Sequence, residues 1–174
     1  MDKFVKNYKH KIKNNFTELL KSIGKFPRKE TIIMCHGVFD VVHPGHIRHL
    51  IYAKTKAKKL LVTLTADQHI KKGTYRPHVP QDLRAINIAA LEMVDYVLID
   101  KNLTPNQNLK KIKPDFFSKG FEYSSSSLPK ATQEESNIVK SYGGQMIFSP
   151  GDIVFSSSKF LSIHLPKIEN EKLI

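Results

Sequence analysis

A chain of 174 residues with 40% hydrophobic side chains can bury one sizeable core, so one compact domain is expected. Its 28 Lys and Arg against 16 Asp and Glu give a net charge of +12, which calls for an anionic partner without deciding between polymer, membrane surface and small phosphate. The lone cysteine, Cys35, excludes an intramolecular disulfide or a multi-cysteine metal site, no apolar run approaches the ~18 residues of a membrane span, and the Lys-rich leading residues lack a signal peptide's apolar stretch, so a cytoplasmic protein is expected.

In chain order, residues 1–30 come first, with nine basic and three acidic side chains and therefore half of the whole charge excess. Phe4, Tyr8, Ile12, Phe16, Leu19, Leu20 and Ile23 recur at three- and four-residue steps. That spacing predicts one amphipathic helix over residues 3–23, stopped at Gly24 and followed by a linker at Pro27. Its apolar stripe needs a partner, either the rest of the chain or a second copy of it. Short apolar runs then predict strands at residues 31–35, 60–65, 94–99, 115–118 and, more weakly, 145–148. Stretches of helical length at 44–58, 81–93, 105–111 and 131–142 alternate with them. Strand and helix in alternation predict right-handed crossovers and a parallel sheet of about five strands covered on both faces. The reading is an α/β, Rossmann-like three-layer domain over residues 31–165, preceded by the helix and linker of 1–30 and followed by a tail at 166–174. Ligands of such sheets bind at the carboxyl ends of the strands, which directs attention to the loops after Cys35, Thr65 and Ser118.

The first of those loops reads His36-Gly37-Val38-Phe39-Asp40-Val41-Val42-His43-Pro44-Gly45-His46. Gly37 and Gly45 let backbone approach a ligand closely. Pro44 suits the first turn of a helix, so His43 and His46 stand about one turn apart beside free N–H groups at the positive end of a helix dipole, a place that fits a polyphosphate. Two histidines are too few for zinc, and neither cysteine nor carboxylate follows at metal-site spacing.

The pattern G-x-F-D-x-x-H-x-G-H, filled by Gly37, Phe39, Asp40, His43, Gly45 and His46, resembles the nucleotidyltransferase superfamily of small cytidylyl- and adenylyltransferases. The resemblance runs from about Thr31 to Ile163. Lys72-Gly73, Arg76-Pro77, Arg84, residues 89–97, Lys113-Pro114-Asp115, Lys119-Gly120, Tyr123, Gly143-Gly144 and Ser156-Ser157-Ser158 are similar to the adenylyltransferase domain of ADP-heptose synthases. They are closer still to such domains fused to a ribokinase-like sugar kinase. This length has no room for the kinase, so the chain is expected to be either the transferase alone or the leading part of a longer protein. Two departures stand out: Phe121-Glu122 occupies the place of Gly-Asp, and serines replace the threonines of a terminal Ser-Thr-Thr.

The resemblance implies in-line attack of a sugar phosphate on the α-phosphorus of a nucleoside triphosphate, forming a nucleotide sugar and releasing pyrophosphate. His43, His46 and Lys72 are then the expected catalytic residues. Gly37, Val38, Phe39, Gly45, Lys119, Gly120, Ser156, Ser157 and Ser158 join the histidines in holding nucleotide. Asp40, Lys72, Arg76 and Arg84 are expected to hold the second substrate. AMP transfer to a heptose 1-phosphate is favoured, with Mg2+ arriving on the triphosphate. A homodimer and a sugar kinase, fused or separate, are compatible partners; nucleic acid and membrane are not expected. The alternatives are a CTP-dependent cytidylyltransferase acting on glycerol 3-phosphate or another polyol phosphate, and, more remotely, a non-enzymatic nucleic-acid module suggested by the charge. A class I aminoacyl-tRNA synthetase fragment is disfavoured by the absence of a Lys-Met-Ser-Lys-Ser loop.

Overall fold

The computed structural model describes residues 6–71, 76–120 and 128–150. Its elements are α1 (Lys6–Lys9), β1 (Ile12–Lys13), α2 (Phe16–Ile23), β2 (Ile32–Gly37), α3 (Pro44–Lys54), β3 (Lys59–Thr65), α4 (Gln81–Ala89), β4 (Tyr96–Asp100), α5 (Asn106–Ile112), β5 (Phe116–Lys119), α6 (Lys130–Ser141) and β6 (Gln145–Phe148). All six strands pair in parallel in the order β1-β4-β3-β2-β5-β6.

The apolar runs are continuous because both faces of this sheet are covered. Successive side chains of a strand point to opposite faces. Ile33 and Cys35 of β2, Leu60, Val62 and Leu64 of β3 and Val97 of β4 therefore pack on one side with Leu50 and Ala53 of α3 and Ala85, Ile88 and Ala89 of α4. Ile32, Met34, Leu61, Leu98 and Phe117 face the other way, against Leu19 of α2, Leu109 and Ile112 of α5 and Val139 of α6. The chain leaves β2 for β3 and β4 on one side, then returns to place β5 on β2's other side. That reversal opens the crevice between the carboxyl ends of β2 and β5.

The leading segment differs from the helix expected over residues 3–23. It is two helices separated by β1, which pairs Ile12 with Val97 and Lys13 with Leu98. The break lies at Asn14 and Asn15. Asn15 is extended at φ −156° and its side chain accepts from the Glu18 N–H, while a Glu18 carboxylate oxygen accepts from the Asn14 N–H at 3.0 Å. This reciprocal cap stops any helix from running through and starts α2 afresh. The apolar stripe is accordingly split between the two layers: Ile12 joins the α3/α4 side, and Phe16, Leu19 and Ile23 join the α2/α5/α6 side. The sheet's sixth strand, against about five expected, is this β1.

Candidate active site

Strand β2 delivers its last residue, Gly37, to the crevice, and the chain then doubles back. Phe39 takes a left-handed conformation, φ 49°. Its ring folds over Gly37 so closely that a Cβ there would lie 2.9 Å from a ring carbon. Gly37 is thus glycine for the sake of Phe39. The Phe39 ring is 5% exposed and sits 4.8 Å from the His46 ring, filling the space beneath it. His43 is the extended residue that precedes α3, Pro44 is the first helical residue, and Gly45 lies in the first turn. One turn of helix then brings the His43 and His46 rings together, stacked with centroids 3.8 Å apart and planes 25° from parallel. Both imidazoles are half-buried beside the N–H groups that open α3.

Asp40 is 3% exposed and fully engaged. One carboxylate oxygen accepts from Arg76 Nη1 at 2.7 Å and the other from the Val79 N–H at 2.9 Å. Burial alone would raise its pKa; the Val79 and His78 N–H groups and the Arg76 guanidinium outweigh that and hold it below its ordinary 3.8. Asp40 and Arg76, both expected at the second substrate, are therefore brought together as an ion pair that fastens the loop after β3 to the loop after β2.

Arg84 requires a correction. It is completely buried, and its guanidinium donates to the carbonyls of Val79, Val38 and Thr65 and to Asp67 Oδ1 at 2.6 Å. Helix α4 begins just after the loop that follows β3, and Arg84 turns inward to that loop while Asp82 and Leu83 stay exposed. A fork spent on three carbonyls and a carboxylate holds Val38, the residue before Phe39, in place instead of gripping a substrate phosphate.

Lys119 ends β5, across the crevice from Gly37, with Gly120 following. Its ammonium pairs with Glu135 and donates to Thr132 Oγ1 at 3.1 Å, both on α6. Burial raises the Glu135 pKa and Lys119 works against that rise. Lys72, Ser156, Ser157 and Ser158 lie outside the described residues, as do Phe121 and Glu122.

Two histidines acquire roles that no motif announced. His36 Nδ1 meets Thr63 Oγ1 at 2.9 Å, Nε2 meets Thr65 Oγ1 at 3.3 Å, and Asp100 Oδ2 is 3.9 Å away. Burial, reinforced by the charge of Lys119, pushes the His36 pKa down to about 4, so it is neutral at pH 7. His49, one further turn along α3 from His46, meets Ser149 Oγ at 3.0 Å and ties the histidine helix to the exit of β6. Only the third dimension joins Ser149 to His49. Among the described residues no group of three His, Cys, Asp or Glu side chains is arranged to hold a metal ion, and no helix is long and apolar enough to cross a membrane.

A parallel sheet with a glycine-bearing turn, a histidine pair and a helix start at its topological switch point defines a Rossmann-like α/β domain with its candidate site at that point. The cytidylyltransferase-like family profile matches residues 34–162, and the chain belongs to that family. D-beta-D-heptose 1-phosphate adenylyltransferase of Bordetella bronchiseptica is 33% identical over 141 residues, 79% of this chain and 83% of that one. The bifunctional protein HldE of Campylobacter concisus is 38% identical over 122 residues, 69% of this chain but 25% of the relative. The chain thus spans about a quarter of that longer relative. The fold is shared with a lipopolysaccharide core biosynthesis protein from Thermoplasma volcanium, with TM-score 0.59 and 22% identity over 70% of this chain and 98% of that one. It is shared also with the pantoate-beta-alanine ligase of Francisella tularensis, with TM-score 0.57 and 16% identity over 80% and 66%.

Proposed function

We propose that this chain transfers a nucleoside monophosphate, AMP by preference, from a nucleoside triphosphate to a sugar phosphate such as a heptose 1-phosphate, releasing pyrophosphate. The observation that carries the reading is the stacked His43–His46 pair at the start of α3, braced by Phe39 at the switch point of the sheet. The heptose 1-phosphate adenylyltransferase of B. bronchiseptica supports the choice of acceptor and of AMP.

The acceptor phosphate, with a second pKa of about 6, is largely dianionic at pH 7 and attacks the α-phosphorus without a general base. A bond forms from its oxygen to that phosphorus as the bond to pyrophosphate breaks. Rate enhancement rests on alignment and on donors aimed at the developing charge. His43 and His46 donate to α- and β-phosphate oxygens, and the backbone around Phe39 with the first N–H groups of α3 adds fixed dipoles. Gly37, Val38 and Gly45 let the nucleotide approach the backbone. Lys119 and Gly120 approach it from β5, with Glu135 fixing where the ammonium sits, and Ser156, Ser157 and Ser158 serve the β- and γ-phosphates. Lys72 and Arg76 hold the acceptor phosphate, Arg76 oriented by Asp40. Arg84 acts through Val38 and Asp67 as a positioning residue. Mg2+, expected with the triphosphate, would neutralise charge on the phosphates that these residues hold. A cytoplasmic location and a sugar kinase that supplies the acceptor, fused or separate, complete the proposal.

The test is incubation with each of the four triphosphates against a panel of sugar 1-phosphates and glycerol 3-phosphate, measuring pyrophosphate. ATP with a heptose 1-phosphate is expected to lead. Robust turnover with CTP and none with ATP would establish a cytidylyltransferase instead.

A further inference from the structure

Helix α3 carries a third histidine, one turn beyond the stacked pair, and its side chain reaches across the crevice. His49 Nδ1 and Ser149 Oγ share a hydrogen bond of 3.0 Å. His49 belongs to the wall built by β2, its turn and α3; Ser149 follows β6 and belongs to the wall built by β5 and β6. Parallel pairing of β2 with β5 ends at Cys35 and Ser118, so the ladder no longer joins the chain at Gly37 to the chain at Lys119. The hydrogen bond ties the two walls where the ladder has stopped.

Ser149 makes two connections at once. It is 6% exposed, and its N–H donates to the Lys119 carbonyl at 3.0 Å, one step beyond the pairing of Lys119 with Phe148. Side chains alternate along a strand, so Ser149 continues the face of Ile147, which packs with the α3/α4 layer. Lys119 continues the face of Phe117 and turns its ammonium the other way, to Thr132 and Glu135 of α6. One turn of helix separates His49 from His46, and one backbone hydrogen bond separates Ser149 from Lys119. Both of those links are stiff, so the side-chain bond between His49 and Ser149 sets the spacing from the histidine pair to Lys119. A single neutral hydrogen bond contributes modestly to folding. For group transfer the same bond matters more, because displacing a reacting group by about 1 Å can slow the chemistry by about 10²-fold.

We propose that His49 is a positioning residue: through Ser149 it fixes the distance between the His43–His46 pair and Lys119, and with it the alignment of a triphosphate held between the two walls. This rests on the nucleotidyl-transfer reading. His49 acts without touching substrate.

The test compares the full chain with His49→Leu, Ser149→Ala, the double variant and His49→Asn. It measures ATP affinity by calorimetry, pyrophosphate release with ATP and a heptose 1-phosphate, and melting temperature. His49→Leu keeps an apolar side chain in the place of the ring and loses the hydrogen bond, whereas the Asn amide can stand near the position of Nδ1 and make it again. His49→Leu and Ser149→Ala should each weaken ATP binding by about three- to tenfold, the scale of one hydrogen bond, and lower kcat by about 10- to 100-fold. The double variant should be no worse than the poorer single one, since both remove the same bond, and His49→Asn should recover most of the loss. If His49→Leu does not fold, Ser149→Ala and His49→Asn carry the test. The inference is overturned if both single variants match the parent in ATP affinity and kcat, or if their losses add in the double variant. It is equally overturned if the losses only follow a falling melting temperature and His49→Asn recovers nothing. A parent protein that binds ATP but releases no pyrophosphate with any acceptor ends the transfer reading alone, and the ATP affinities then decide the role of His49. A parent that binds no triphosphate ends both.

Discussion

His36, His43 and His46 lie within one eleven-residue stretch and belong to different chemistries because their surroundings differ. The last two stack at a helix start, half-exposed to a crevice, and His43→Ala or His46→Ala should each lower turnover by about 10²- to 10³-fold, the usual effect of removing one transition-state donor, with the melting temperature preserved. Near-normal turnover in either variant would remove that residue from the mechanism. His36 sits between two threonines with its side chain 14% exposed. Its pKa is about 4 in the fold against 6.5 unfolded, so between those values the unfolded chain binds the extra proton. Stability from this group is therefore complete above pH 6.5 and is lost as pH falls toward about 4, a change of about 3 kcal/mol. Urea unfolding from pH 7 to pH 4 should show His36→Gln losing less stability than the parent by about that amount; equal slopes would contradict it. Arg84→Ala strands the carbonyls of Val38, Val79 and Thr65, and should cost about 3 kcal/mol or more in stability, with Arg84→Lys recovering only part.

The leading segment illustrates the same contrast at the level of elements. Helical spacing over residues 3–23 is genuine in the sequence, yet Asn14-Asn15-x-x-Glu18 is a cap signal that divides it, and β4 offers Ile12 an edge to pair with. Leu19 is fully buried, so Leu19→Ala should cost about 2–5 kcal/mol, whereas Asn15→Ala should cost about 1 kcal/mol through the cap alone. Removing residues 1–24 deletes β1 and α2, uncovers the edge of β4 and the α5 side of the core, and should lower the melting temperature sharply. Replacing Lys6, Lys9 and Lys13 by Gln should leave turnover almost unchanged, since Lys6 and Lys9 are exposed and half-buried Lys13 is engaged with the His10 carbonyl and the Tyr96 ring. Lost turnover in the lysine variant beside unaltered stability in the deletion would make this segment a substrate arm.

For the molecule as a whole, the net charge of +12 sets long-range attraction for anions rather than a binding surface of defined shape. Binding of random RNA and DNA should be weak and disappear between 50 and 200 mM salt, as expected for contacts to phosphates alone, while pyrophosphate release persists. Tight RNA binding that survives 200 mM salt, with no turnover on any sugar phosphate, would favour a nucleic-acid module.

Alternation of apolar runs with helical stretches was sufficient by itself to determine a parallel α/β sheet, because a strand buried on both faces is apolar at most positions and each parallel return needs a crossover. The spacing of Gly37, Phe39, His43 and His46 likewise marked the end of β2 as the candidate phosphate site, since a tight turn feeding a helix start is a local construction. The partners of isolated charges were decided only by the tertiary structure. Arg84 reads as a phosphate ligand in sequence and is spent on Val38, Val79, Thr65 and Asp67 once α4 folds against the loops. Lys119 found Glu135, and Ile12 found β4, for the same reason. A guanidinium or an apolar residue carries no mark of which distant segment will satisfy it, and that choice is made by packing, where burial forces every donor and every apolar face to find whatever stands opposite.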